Sequence, residues 1–190
     1  MKLLSKGIVY IYLKLKVAFY KILSSNSPYL NRVKLVQATI FNGKGNIEIV
    51  GASLGMYSSP GVISGSSYID ARHPQSIVRI LDGTIINNSA TIIAEKSSIN
   101  IGRDCLIGFN FQCLDSDFHP LDVKSRRKSG HLCKNVIVGD NVFIGNNVTI
   151  LKGVTIGDNS VIGSCSVVTK DILKNSIYAG NPAKFIRELD

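Results

Sequence analysis

Three histidines stand in this 190-residue sequence, and two of them, His119 and His131, fall within one stretch, LDSDFHPLDVKSRRKSGHLCKNVI, residues 114–137. An imidazole exchanges its proton near neutral pH, so a histidine held beside a hydroxyl serves as a general base. Carboxylates that could orient such a ring lie close in the chain at Asp115, Asp117 and Asp122, and each equally suits the capping of a loop turn. His131 sits among Arg126, Arg127, Lys128 and Lys134 and reads as a loop or interface residue rather than a second base. His73 precedes Pro74 in a turn-like stretch and reads as having no chemical role. The four cysteines (Cys105, Cys113, Cys133, Cys165) are too few and too irregularly spaced for a disulfide scaffold or a zinc ribbon, and read as reduced thiols.

The element that must carry this stretch is legible in a six-residue ruler. Val138, Ile144, Ile150, Ile156, Ile162 and Val168 stand six apart without a slip, and Gly139, Gly145, Gly157 and Gly163 follow four of them. Val142, Val148, Val154, Ser160 and Ser166 keep the same spacing with small or β-branched side chains. Asn141, Asn147, Gly153 and Asn159 supply residues that tolerate a left-handed backbone. Neither a helical period nor simple alternation gives this pattern, whereas a hexapeptide repeat does. Each unit makes one short strand and one corner of a triangular coil, three units close a coil, and stacked coils pair at about 4.8 Å. Ile101, Ile107 and Cys113 keep the ruler, as do Ile80, Ile86 and Ile92, with a three-residue phase slip between Ile92 and Ile101. The ruler stops after Cys113 and restarts at Val138, so 114–137 is expected as an extruded loop, and a loop that long is usually functional or disordered.

The charge of the chain is unevenly placed. The net charge is +9, yet residues 1–44 hold eight basic residues and no acid, which leaves +1 for the other 146. That distribution argues against nucleic-acid binding, where basic groups track a groove across the fold. In residues 1–24, at about 100° per residue, Leu4, Ile8, Ile11, Tyr12, Leu15, Ala18, Phe19, Ile22 and Leu23 share one stripe. All five lysines of that segment lie outside the stripe, which makes a spanning helix or a cleaved signal peptide poor readings. Two readings fit: a basic amphipathic helix on an anionic membrane, or a helix packing its stripe on the body of the protein or on a neighbouring subunit.

The run GDNVFIGNNVTILKGVTIGDNSVIGSCSVVTKDILKNSIYAGNPAKFIREL, together with Asp117-Phe118-His119, resembles the hexapeptide-repeat acyltransferases, closest to sugar and polysaccharide O-acetyltransferases of the galactoside and maltose acetyltransferase type. The resemblance covers roughly residues 77–190. It implies acetyl-CoA as donor with no metal required, a homotrimer, and active sites between neighbouring subunits. It implies His119 as the base, with Asp117 among the carboxylates that could orient it, and the Asn146 backbone N–H as the oxyanion contact. Donor contacts are implied at Phe143, where relatives often carry Trp, and at Ser164, Thr169, Lys170, Pro182, Lys184 and Arg187. Asn87 and Asn88 are the nearest matches to the acceptor-binding asparagine. Cationic Lys170, Lys184 and Arg187 suit the phosphates of coenzyme A, and Asn181-Pro182 also reads as an N-cap and first position of a terminal helix.

The sequence therefore predicts a mainly β chain: a left-handed parallel β-helix of hexapeptide repeats with an extruded loop, an N-terminal amphipathic helix and a short C-terminal helix. Its expected divisions are a helix at 1–26, irregular first coils at 27–76, the main coil at 77–172 and a C-terminal segment at 173–190. The expected activity is acetyl-CoA-dependent O-acetylation of a sugar hydroxyl on a glycan or surface-polysaccharide precursor. The expected place is the cytoplasm, peripheral on the inner membrane face. Serine or amino-sugar N-acetyl transfer uses the same coil, but an N-terminal domain like those many such enzymes carry is not evident here. A γ-carbonic-anhydrase-like site needs three imidazole ligands, and histidine separations of 46 and 12 residues do not resemble its pattern. A pure scaffold would need neither DSDFH nor the VVTKD and GNPAK segments.

Overall fold

The computed structural model describes residues 2–128 and 130–190, with side chains of the first helix from Lys6 onward. A helix, Lys2–Leu23, precedes a three-faced coil of short strands. The first face stacks Tyr29–Asn31, Asn46–Val50, Ile77–Ile80, Ser98–Ile101, Val136–Val138 and Thr155–Ile156. The second runs through Lys34–Leu35, Ser53–Leu54, Ile85–Ile86, Leu106–Ile107, Phe143–Ile144 and Val161–Ile162 to a terminal pair, Ser176–Ala179 and Lys184–Glu188. The third holds Thr39–Asn42, Ser67–Ala71, Thr91–Ala94, Gln112–Leu114, Thr149–Ile150 and Val167–Val168. The fold is a left-handed parallel β-helix, as the ruler predicts.

The ruler residues fill its axis. Ile107 pairs with Ile144 and Ile144 with Ile162, one coil apart, while Val138 pairs with Ile156 on the first face. Val138, Ile144, Ile150, Ile156, Ile162 and Val168 are all buried in one continuous core. The corners turn where the sequence supplies a left-handed residue: Asn141, Asn147 and Asn159 have φ of 55°, 57° and 59°. At one corner the amides of Asn141, Asn159 and Asn175 form a ladder, Asn141 Nδ2 donating to Asn159 Oδ1 at 2.9 Å and Asn159 Nδ2 to Asn175 Oδ1 at 2.8 Å. The short polar side chain thus offsets the steric cost of the conformation. Gly145 answers a different need, since a Cβ there would lie 2.6 Å from the Ser164 backbone nitrogen of the next coil.

The coil begins at Tyr29, ahead of the readable repeat. Its early phase is hidden because residues 55–66 leave the coil as a loop, which is held by buried polar side chains. Gln37 Nε2 donates to Gly61 O at 2.8 Å, and its Oε1 accepts from Ser67 Oγ at 2.8 Å and Ser89 N at 2.7 Å. The slip after Ile92 is a wide corner: Ile92 and Ala94 point inward before it, Ile99 and Ile101 after it.

One expectation is corrected. Residues 184–188 form no C-terminal helix; they run antiparallel to Ser176–Ala179. Pairing decides the outcome, because Ser176–Ala179 would otherwise be an open sheet edge, and Phe185 packs edge-on against Tyr178 at 5.6 Å between ring centroids. Asn181 and Pro182, joined by a cis peptide bond, lie in the turn of this hairpin instead of capping a helix.

Of the two readings of the N-terminal helix, packing of its stripe on the body of this protomer is not what the structure holds. Among the helix side chains described, Leu13 is the buried one, flanked by partly buried Val9, Lys16, Val17 and Tyr20. Lys16 Nζ donates to Ile63 O at 2.7 Å and Gly65 O at 2.8 Å, so a lysine docks the helix on the 55–66 loop. Ile8, Ile11, Leu15, Phe19, Ile22 and Leu23 face outward, Ile22 with 80% of its surface accessible. Leu4 of the stripe and Lys2 lie outside the side chains described. No helix among the described residues is long and apolar enough to cross a membrane.

Candidate active site

The extruded loop leaves the coil after Gln112–Leu114 and returns at Val136–Val138, so it springs from the corner between the third and first faces. Its base is closed by a Ser116–Cys133 bridge, by Asp117 N donating to Leu132 O at 3.2 Å and by Lys134 N donating to Asp115 O at 2.8 Å. Asp115 is buried, and its carboxylate accepts from the backbone N–H groups of Glu95 (2.7 Å), Lys96 (3.2 Å) and Ser97 (2.7 Å). It therefore fastens the loop to the wide corner of the coil before.

Asp117 Oδ1 meets Lys152 Nζ at 2.8 Å, a contact to the same corner of the following coil. Asp122 Oδ1 accepts from Lys124 N at 2.9 Å and Ser125 N at 3.1 Å and caps a turn within the loop. All three candidate carboxylates thus have structural partners, and among the described residues none hydrogen-bonds His119. Phe118 adopts φ 59°, donates its N–H to Ser116 Oγ at 2.8 Å, and lies with its ring 5.4 Å from the Arg72 guanidinium carbon. His119 follows directly, with its side chain exposed at the foot of the loop.

Beneath Phe118 lies a cluster that the sequence does not announce. Glu95 is nearly buried and accepts from Arg72 Nη1 at 2.6 Å, while Arg72 Nε donates to Asp70 Oδ2 at 3.0 Å. Burial opposes the Arg72 charge, but Asp70 and Glu95 outweigh it and hold its pKa above the ordinary value. His73 Nε2 and His131 Nε2 stand 3.6 and 3.5 Å from Glu95 Oε1, within ion-pair reach but beyond a hydrogen bond. No three His, Cys, Asp or Glu side chains among the described residues are gathered to hold a metal ion. The one clue in the sequence to this cluster is the phase slip, since Glu95 lies in the corner that causes it.

The expected donor residues occupy other edges of the prism. Phe143 is half exposed on the outer side of the second face, in register with Leu106 and Val161. Asn146 and Ser164 come together at the corner between the second and third faces, where Asn146 N donates to Ser164 Oγ at 3.1 Å. The amide expected to meet an oxyanion is therefore bonded to a hydroxyl in the protomer. Thr169 and Lys170 lie on the His119 edge, past Lys152, and Pro182, Lys184 and Arg187 on the terminal hairpin; all five are exposed. Asn88 is buried, its Nδ2 facing the carbonyls of Met56, Ser59 and Pro60 at 2.9, 3.1 and 2.9 Å. That side chain holds the 55–66 loop and has no donor left for the acceptor contact expected of it. Asn87 Nδ2 donates to Ser59 Oγ at 2.9 Å.

Residues 135–170 match the model of the bacterial transferase hexapeptide (six repeats). A polysialic acid O-acetyltransferase of Neisseria meningitidis is 33% identical over 120 residues, 62% of this chain and 52% of the relative, so the chain spans about half its length. The crystal structure of the polysialic acid O-acetyltransferase OatWY superposes with a TM-score of 0.63 at 26% identity, covering 87% of this chain and 83% of that one. Galactoside acetyltransferase in complex with coenzyme A gives 0.56 at 26% identity, covering 94% and 82%. Residues 135–170 thus carry the bacterial transferase hexapeptide, and the chain shares its left-handed β-helix with these acetyltransferases.

Proposed function

We propose that this protein is an acetyl-CoA-dependent O-acetyltransferase acting on a sugar hydroxyl of a surface glycan, with His119 as general base. The observation that carries the reading is the exposed His119 at the foot of a doubly anchored loop on this coil. In the proposed reaction the imidazole takes the hydroxyl proton as the oxygen attacks the thioester carbonyl carbon. The new C–O bond forms, the C–S bond breaks, and the imidazolium returns its proton to the departing thiolate. No covalent enzyme intermediate is needed. The Asn146 N–H would exchange Ser164 Oγ for the developing oxyanion.

Lys170, Lys184 and Arg187 form no ion pair among the described residues and suit the phosphates of the donor. His119 and the Asn146–Ser164 corner lie on different edges of one prism, which supports a homotrimer whose site combines edges of neighbouring copies. The acceptor is inferred to be anionic, since the exposed loop residues Arg127 and Lys128 accompany Arg126, and two relatives are named for polysialic acid.

The outward apolar stripe of the first helix, flanked by exposed Lys14 and Lys21, supports peripheral attachment to an anionic bilayer, on its cytoplasmic side. Removing residues 2–24 should release the protein from anionic liposomes without unfolding the coil; unchanged binding defeats the attachment. His119→Ala should lower acetyl transfer by about 100-fold or more while acetyl-CoA affinity is kept. Turnover retained in that variant removes the mechanism.

A further inference from the structure

The extruded loop has two arms, and one carboxylate of the coil reaches both. Glu95 stands in the wide corner below the loop, nearly buried, its backbone N–H fixed by Asp115. Its Oε2 accepts from Arg72 Nη1 at 2.6 Å, and the Arg72 guanidinium lies over the Phe118 ring of the outgoing arm. Its Oε1 faces His131 Nε2 of the returning arm at 3.5 Å, and the His131 side chain is only 11% exposed. Phe118 is held in a left-handed backbone by its N–H bond to Ser116 Oγ, and the next residue is His119. The direction in which the His119 ring leaves the loop is thus set by Phe118, and the Phe118 ring rests on a guanidinium that Glu95 and Asp70 orient.

From this geometry we infer that Glu95 is a positioning residue for the base, acting through Arg72 and Phe118. The inference rests on His119 being the base. Glu95 does not touch His119; it removes the freedom of the segment that presents the ring, and misplacing a reacting group by a fraction of its reach lowers turnover more than it lowers binding. Arg72 lies over the Phe118 ring and bonds Asp70 and Glu95 through separate nitrogens, an arrangement that lysine, with one ammonium, does not reproduce.

The test is a kinetic comparison of the full chain and its variants with acetyl-CoA and an acetylatable glycan or, failing one, by slow hydrolysis of acetyl-CoA. Glu95→Gln is expected to lower kcat roughly tenfold with the KM for acetyl-CoA unchanged, and Glu95→Asp to restore part of the loss. Phe118→Leu, which takes away the stacked ring and leaves the buried carboxylate intact, is expected to lower kcat similarly and keeps the question answerable if Glu95→Gln does not fold. In a His119→Ala background neither change should lower the residual rate further. Wild-type kcat in folded Glu95→Gln, or a further drop in the His119→Ala background, overturns the positioning role. Full turnover in His119→Ala alone instead overturns the reading on which it rests.

Discussion

Asp117 and Lys152 meet at 2.8 Å across two successive layers of the coil, and each side chain keeps only about a fifth of its surface, 19% and 22%. One is at the outgoing base of the loop, two residues before His119; the other belongs to the layer that follows. The pair fixes the upper side of the loop base as Asp115 fixes the lower. Replacing Lys152 by Met should cost about 1 kcal/mol in urea unfolding, and Asp117→Asn should cost little more in that background. Additive losses in the double-mutant cycle would show the two to be independent.

Asp115 deserves a harsher forecast. Its carboxylate satisfies three backbone N–H groups, two of them at 2.7 Å. Asp115→Ala leaves those donors without a partner and should cost about 3 kcal/mol or more. Hydrogen exchange should quicken at 95–97 and throughout the loop, with the coil beyond residue 138 little changed. A variant that loses no stability would refute the anchoring role.

What the sequence discloses follows from repetition. From Val138 to Val168 every unit has the same phase, and each ruler residue enters the core in turn. Before residue 77 the same coil exists, but the loop at 55–66 and five-residue strands such as Asn46–Val50 break the spacing that would reveal it. Lys184–Glu188 is misread as a helix because Asn-Pro resembles a cap, while the contact that decides its state, Phe185 on Tyr178, is made only after folding. His119, the proposed base, is singled out in the sequence by its motif. Glu95, Arg72 and Lys152 are not, because the pairs Arg72–Glu95, Glu95–His131 and Asp117–Lys152 stand 23 to 36 residues apart in the chain and meet only through the stacking of coils.

Gly145 offers a test of that stacking. A methyl group there would press on the Ser164 backbone nitrogen. Gly145→Ala should cost about 1–3 kcal/mol and, by moving Ser164 from Asn146, should weaken acetyl-CoA binding as read by isothermal titration. Unaltered stability would show that the layers separate freely.

The buried thiols predict an alkaline weakness. Burial, with a smaller effect from Asp115, pushes the Cys113 thiol far up, and burial also raises Cys105. In the unfolded chain a thiol titrates at about 8.5, so the contribution of the protonated folded thiol is complete below that pH and is lost as pH rises toward the folded value. Unfolding free energy should therefore decline above pH about 9, and Cys113→Ala should lessen the slope by about 1.4 kcal/mol per pH unit. Thiol reagents should label exposed Cys165 first and reach Cys105 and Cys113 only on unfolding. Equal slopes in the two proteins would count against the argument.

At its far end the second face stops on an antiparallel strand, and at its near end the third face starts beneath the first helix, through Phe41 N donating to Ser24 Oγ at 2.9 Å. A parallel coil left bare at either extremity would invite another molecule to continue it, strand on strand, into a fibre. With those two rungs occupied, continuation of the second face at one extremity and of the third at the other is obstructed.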